Sequence, residues 1–254
     1  MPVVFVSHAS PMLALEDNAG KIYSQWARNM DKSKAILVFS AHWETKDLPF
    51  GESENHNTLV YDFGGFPKTL YDIQYPAPGA ENLKHDISQL LKNKYQIKET
   101  SRGLDHGVWV PFLHMWPNAD IPLLQMTLPH TFSNKALFDL GEMLPPLREQ
   151  GILICANGTL THNLGELINR SSFSTEKWAE NFDQWTKENL INHNIDALLN
   201  WEIEAPEAKQ NHPTPEHFRP LLIALGAADP NDKITFPIEG FDFGNFSKRS
   251  VQFG

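Results

Sequence analysis

Of the eleven histidines in this 254-residue chain, five stand where an ordered stretch gives way to a Gly, Pro, Ser or Trp turn: His8, His42, His106, His162 and His217. Imidazole suits Zn, Fe, Cu and Ni, and a catalytic metal site keeps positions open for water or substrate. Three neutral histidines leave a divalent charge uncompensated, so such a site favours an anionic ligand from outside, and a catecholate would satisfy it. For any one of these histidines alone, a structural role is the stronger reading; their repetition at strand ends points to a metal. Trp43, Phe63, Phe66, Trp109 and Phe112 could wall a pocket for a flat ring or belong to the core. His56, His85, His114, His130 and His193 fall in polar loops or ordinary helix positions and carry no expected role, while His212 stays open.

The elements that must position these groups can be read from the patterning. Residues 35–42 form an apolar run, rich in Ile, Val and Phe, that ends in His42-Trp43. Such a run suits a strand covered on both faces, and ligands bind beyond the carboxyl ends of these strands in open α/β sheets. The same grammar recurs at residues 2–8, ending in His8, and at 151–157, followed by His162. The expected fold is therefore α/β: one domain over 1–254, with a mainly parallel central sheet flanked by helices and a metal site at the carboxyl ends of the strands.

Between the strands, Leu15, Ile22, Trp26 and Met30 are spaced to share one helix face, and residues 46–60 read as a surface loop or hairpin. Tyr61-Asp62-Phe63-Gly64-Gly65-Phe66-Pro67 is an aromatic loop that could line a pocket or form a structural turn, leading to a short helix over 67–73. Helices are expected around Leu83 to Leu91, over 108–116, over 175–191 and on through 195–201; strands over 95–99, 122–128, 234–238 and 247–253. Asn134 reads as the cap of a helix that Pro145-Pro146 interrupts. Thr214 and Pro215 read as the cap and first residue of a turn that places His217 at the start of a helix stopped by Gly226.

A net charge of −10 argues against nucleic acid and anionic membrane surfaces, which need clustered Lys and Arg; the expected partner is a small molecule. The lone Cys155 excludes an intramolecular disulfide and reads as a small core residue. No apolar run approaches the roughly 20 residues of a membrane helix, no leader pattern opens the chain, and a cytoplasmic location is expected. The glycosylation patterns at Asn157, Asn169 and Asn245 are discounted on that basis.

Taken together, His8-Ala-Ser-Pro-Met, Ser40-Ala-His42-Trp, Tyr61-Asp-Phe-Gly-Gly-Phe-Pro, Tyr75-Pro-Ala-Pro-Gly, Asp105-His106-Gly, Thr161-His162-Asn163-Leu and Pro213-Thr-Pro-Glu-His217 resemble the 4,5-DOPA extradiol dioxygenase family, in that family's order and over nearly the whole chain. The resemblance implies a single α/β domain related to the catalytic subunit of protocatechuate 4,5-dioxygenase. It implies His8, His42 and His217 as metal ligands, His162 as the catalytic acid/base, and His106 in the pocket orienting the substrate; Trp43 and Phe63 are the candidate substrate-wall residues. The implied reaction is ring cleavage of a catechol by O2 with Fe(II), with Zn(II) as an alternative metal. Two departures, Ser7-His8-Ala9-Ser10 for Gly-His-Gly-Ser and Asn157-Gly-Thr-Leu-Thr for Ser-Gly-Asn-Val-Val, bear on substrate preference more than on metal binding. Two other readings remain beside this one. A zinc hydrolase could use His162 and Glu166, four residues apart, if that segment were helical, and a non-catalytic metal-binding protein could share the scaffold.

Overall fold

A computed structural model describes residues 1–8, 10–56, 58–167 and 174–254; Ala9 of the first motif and the Asn169 pattern lie outside these residues. Six strands form the central sheet: β1 (Val3–Ser7), β2 (Ala35–Thr45), β3 (Leu123–Pro129), β4 (Ile152–Gly158), β5 (Ile234–Ile238) and β6 (Ser250–Phe253). Their spatial order is β3-β2-β4-β1-β6-β5. The first four are parallel, and β6 and β5 add an antiparallel edge. The mainly parallel α/β architecture read from the apolar runs is the one observed.

Alternation along β1 divides the core between the two faces. Val3 and Phe5 pack into one hydrophobic cluster and Val4 and Val6 into the other. Helices α1 (Asp17–Arg28), α2 (Glu81–Leu91), α3 (His106–Met115), α4 (Asn134–Gly141) and α5 (Pro145–Glu149) are followed by α6 (Lys177–Ile191). The short α7 (Ile195–Leu199), α8 (Trp201–Glu204) and α9 (Ala208–Asn211) then lead to α10 (Pro220–Ala227). Every residue of α10 is buried, which is why it carries no amphipathic pattern. The described residues contain no helix long and apolar enough to cross a membrane.

Several local expectations need correction. Helix α1 buries Tyr23, Trp26 and Ala27, whereas Ile22 is exposed, and Leu15 is exposed and lies outside α1 in a 3-10 turn over Pro11–Leu15. Residues 46–60 are no surface loop: Leu48, Phe50 and His56 are buried, and His56 pairs with the carbonyl of Leu123. Residues 95–99 contribute only a bridge between Phe50 and Glu99. The cap of α4 is Ser133, whose hydroxyl accepts from the Ala136 amide, while Asn134 donates to the Leu199 carbonyl. Gly226 does not stop the last helix; it lies inside α10 where α4 crosses, close to the Phe138 carbonyl. Thr214 caps no helix, since residues 213–219 form turns and α10 begins at Pro220. Asn157 and Asn245 are fully buried and so offer no surface for a glycan.

The C-terminal segment is anchored by Arg249, whose guanidinium meets Asp183 of α6 at 2.6 Å and also pairs with Glu239. Arg249 and Asp183 are almost wholly buried, and breaking one side of such a pair leaves an uncompensated charge. Asp183→Ala is expected to lower stability by about 3–5 kcal/mol, read as a shift in the urea unfolding midpoint.

Candidate metal centre

Strand register brings the first ligands together. Ser7 lies opposite Gly158 and Ser40 opposite Asn157, so β1, β4 and the first part of β2 end level at one edge. His8 follows β1 directly. His42 is not beyond the end of its strand, as the pattern suggested; β2 runs on to Thr45 because its pairing with β3 continues through a register shift between Phe39 and Glu44. An irregularity of this kind re-aims side chains beside functional sites.

His217 arrives from the turn before α10. Its position is tied to the end of β4 by the Thr159 amide, which donates to the His217 carbonyl at 2.9 Å. The Nε2 atoms of His8 and His42 are 3.0 Å apart, and the ligand atoms of His8, His42 and His217 all lie within 4.8 Å of one another. Glu216 stands next to His217, and the ligand atoms of His162, Glu216 and His217 form a second group within 4.8 Å of one another. Glu216 Oε1 accepts from Nδ1 of His217 at 2.8 Å, which leaves Nε2 of His217 buried and without a hydrogen-bond partner.

The site chemistry fits a cation. Burial, reinforced by the neighbouring histidines, holds His8 and His217 well below the usual imidazole range, so both rings are neutral and keep a lone pair to donate. Burial also pushes His42 down, but its hydrogen bond to Asp62 and the charge of Asp105 outweigh this and its pKa is raised. An orphaned buried nitrogen beside two converging imidazoles is the arrangement a bound divalent ion would satisfy.

His162 lies face to face with His217, ring centroids 3.6 Å apart and planes at 10°, and Phe246 stacks near it at 4.9 Å. Its pKa is lowered to about 3 by burial first and by His212 second. Its loop is held on one side by the His162 amide on the Asn211 carbonyl at 3.1 Å and His212 on the Leu160 carbonyl at 2.7 Å. On the other side, Thr161 donates to the Asn245 carbonyl. His212, which the sequence left open, thus serves the loop, and Phe246 did not stand out in the sequence. Glu166 sits in a 3-10 turn and joins none of the candidate ligand groups among the described residues.

His106 opens α3, its ring 3.9 Å from that of His42. Phe63 packs against it at 5.4 Å and against Phe66 and Tyr71, with Trp109 behind. Trp43 is brought into no ring contact with the cluster; it is buried under the Arg102 guanidinium, which donates to the His42 carbonyl. Phe112 packs on Trp116 in the core beside α3. Of these aromatic side chains Phe63 is the one in ring contact with a clustered histidine, whereas Trp43 packs under Arg102.

Helix α3 is fastened by its own proline. Pro111 has no N–H, so the carbonyl four residues earlier is released from the helix ladder. That carbonyl, on Gly107, accepts from Nδ2 of Asn157 at 2.5 Å. Asp105, fully buried, accepts from Ser40 at 2.7 Å and from Gln125 at 2.5 Å, binding the helix start to β2 and β3. A Cβ on Gly107 would come within 2.7 Å of Ser40 Oγ and 2.9 Å of a carbon of the His42 ring. Gly107→Ala is expected to cost about 1–3 kcal/mol by overpacking and to weaken metal binding, as read by urea unfolding and by zinc titration.

Comparison with known proteins identifies the family. Residues 2–254 match the family described as the catalytic LigB subunit of aromatic ring-opening dioxygenase. The chain is 39% identical over 256 residues to a 4,5-DOPA dioxygenase extradiol of Beta vulgaris, covering 98% of this chain and 95% of that one. It is 36% identical to a protein of the same name from Escherichia coli K12, covering 100% and 95%. A crystal structure of an uncharacterized Escherichia coli K12 protein superposes with a TM-score of 0.85 at 32% identity over the full length of both chains. The chain belongs to the LigB family of aromatic ring-opening dioxygenases.

Proposed function

We propose that this protein is an Fe(II)-dependent extradiol dioxygenase that opens the ring of a catechol, DOPA-like or a related dihydroxyphenyl compound, with O2. The observation that carries the reading is the convergence of His8, His42 and His217 within 4.8 Å, with His162 stacked on one ligand ring and His106 against another. The names of the relatives favour the same substrate class. Zn(II) fits the donors equally well but has no redox chemistry, so iron is proposed as the working metal.

A divalent metal at the three histidines would anchor both catechol oxygens as a Lewis acid and, as iron, open a redox route to dioxygen. The protein supplies the rest. His162, whose ring has no hydrogen-bond partner among the described residues, accepts the proton of one hydroxyl and returns it as the ring opens. His106 orients the other side of the ring and Phe63 forms an apolar wall against it. In the net reaction the carbon–carbon bond beside the diol breaks and both atoms of O2 enter the product, giving an aldehyde and a carboxylate. A cytoplasmic location is part of the proposal, supported by the free, buried Cys155.

The test is oxygen uptake with a catechol panel that includes 3,4-dihydroxyphenylalanine, after anaerobic iron reconstitution, followed by the absorbance of the yellow semialdehyde. Uptake in a one-to-one ratio with product is expected. No uptake with any catechol, from protein verified to hold Fe(II), overturns the proposal.

A further inference from the structure

We infer that Asp62 is a positioning residue shared by two histidines, a single carboxylate that sets the ring of the metal-side His42 and the ring of the substrate-side His106 together. The inference rests on the roles proposed above for those two residues. Asp62 Oδ1 lies 2.6 Å from Nδ1 of His106 and 3.4 Å from its amide, and Oδ2 lies 3.2 Å from Nδ1 of His42. No other carboxylate among the described residues forms an ion pair with either ring.

The chemistry follows from what a carboxylate can do. An ionised Asp only accepts, so each Nδ1 facing it must carry the hydrogen. The other nitrogen, Nε2, is then a lone-pair donor on both rings. On His42 that is the atom 3.0 Å from His8 Nε2, as metal ligation requires. On His106 it is an acceptor offered to a substrate hydroxyl. An amide cannot substitute, because it accepts at one end and donates at the other.

Backbone register explains why Asp62 reaches both. Leu59-Val60 pairs in parallel with Leu104-Asp105, Val60 opposite Asp105, so both chains leave the pair together, with His106 one residue and Asp62 two residues beyond. The loop is held by the Tyr61 hydroxyl, which donates to the Ile73 carbonyl at 2.6 Å. The next residue, Phe63, packs on His106. One loop therefore delivers the carboxylate and the apolar wall.

The test compares Asp62→Ala and Asp62→Asn with the wild-type chain. Apo protein is titrated with Zn2+ against a competing chelator, histidine ring tautomers are read by 15N NMR, and KM and kcat for 4-methylcatechol are measured on iron-loaded enzyme. For Asp62→Ala, Zn2+ affinity is expected to fall about 10–100-fold, the Nδ1–H tautomers of His42 and His106 to be lost, and KM to rise as kcat falls. Asp62→Asn, which keeps the size and one acceptor, is expected to spare one histidine and perturb the other. In Asp62→Ala, wild-type tautomers and Zn2+ affinity overturn the inference, even with a lowered melting temperature, and so does tautomer loss at only one of the two rings in that same variant. Should the wild-type protein bind Zn2+ but turn over no catechol, the dioxygenase reading falls, while the tautomer and Zn2+ arms still decide the role of Asp62.

Discussion

His162→Ala is expected to bind metal at wild-type stoichiometry and to open catechol rings about 10²–10⁴-fold more slowly, the range for a positioned acid/base. The separation follows from geometry. His162 is absent from the group formed by His8, His42 and His217 but shares a second group with Glu216 and His217, and its ring stacks on that of His217. The His162 ring makes no hydrogen bond among the described residues, so in the proposed reaction it is free to meet a substrate hydroxyl. Removing the ring leaves the amide bonds of Thr159 and His162 and the side-chain bonds of Thr161 and Asn163 in place, so the loop should keep its path. Metal content by elemental analysis, paired with oxygen uptake, checks both halves. Turnover at the wild-type rate would remove the acid/base role, and loss of metal would make His162 a ligand.

The second large effect separates His217 from its neighbour. His217→Ala should abolish stoichiometric metal binding and with it all turnover, since one of three donors and the buried Nε2 lone pair disappear. Glu216→Gln should bind the same metal about 10–100-fold more weakly, as expected when the partner of a ligand's other nitrogen is weakened. The Glu216 carboxylate accepts from His217 Nδ1, and an amide can still accept there, so the loss is partial. The measurement is chelator-competition titration of both variants. Metal retained in His217→Ala but lost in Glu216→Gln would reverse the assignment and make the carboxylate the ligand.

The legible part of this protein was the part that depends on local pattern. Apolar runs marked the buried parallel strands because a strand covered on both faces has no polar positions to keep. Turn residues marked the loops that carry His8 and His162 beyond β1 and β4, whereas β2 runs on past His42 to Thr45. Misreadings arose where tertiary contacts overrode local pattern. The polar stretch over 46–60 became partly buried by packing Leu48, Phe50 and His56 against the sheet, and Gly226 stayed helical because a neighbouring helix needed the space.

At the site, sequence alone determined which imidazoles are available, while the convergence of His8, His42 and His217 within 4.8 Å came from the fold. Their partners were decided only by the fold. Asp62 meets His106 across 44 positions and His42 across 20, and Phe246 meets His162 across 84. Contacts of that range leave no periodicity in a chain. They depend on the register of Val60 opposite Asp105 and on the C-terminal segment that Arg249 pins to Asp183. Residue type determines what chemistry is available; only the packed backbone decides which nitrogen of each ring carries a hydrogen and which carries the lone pair.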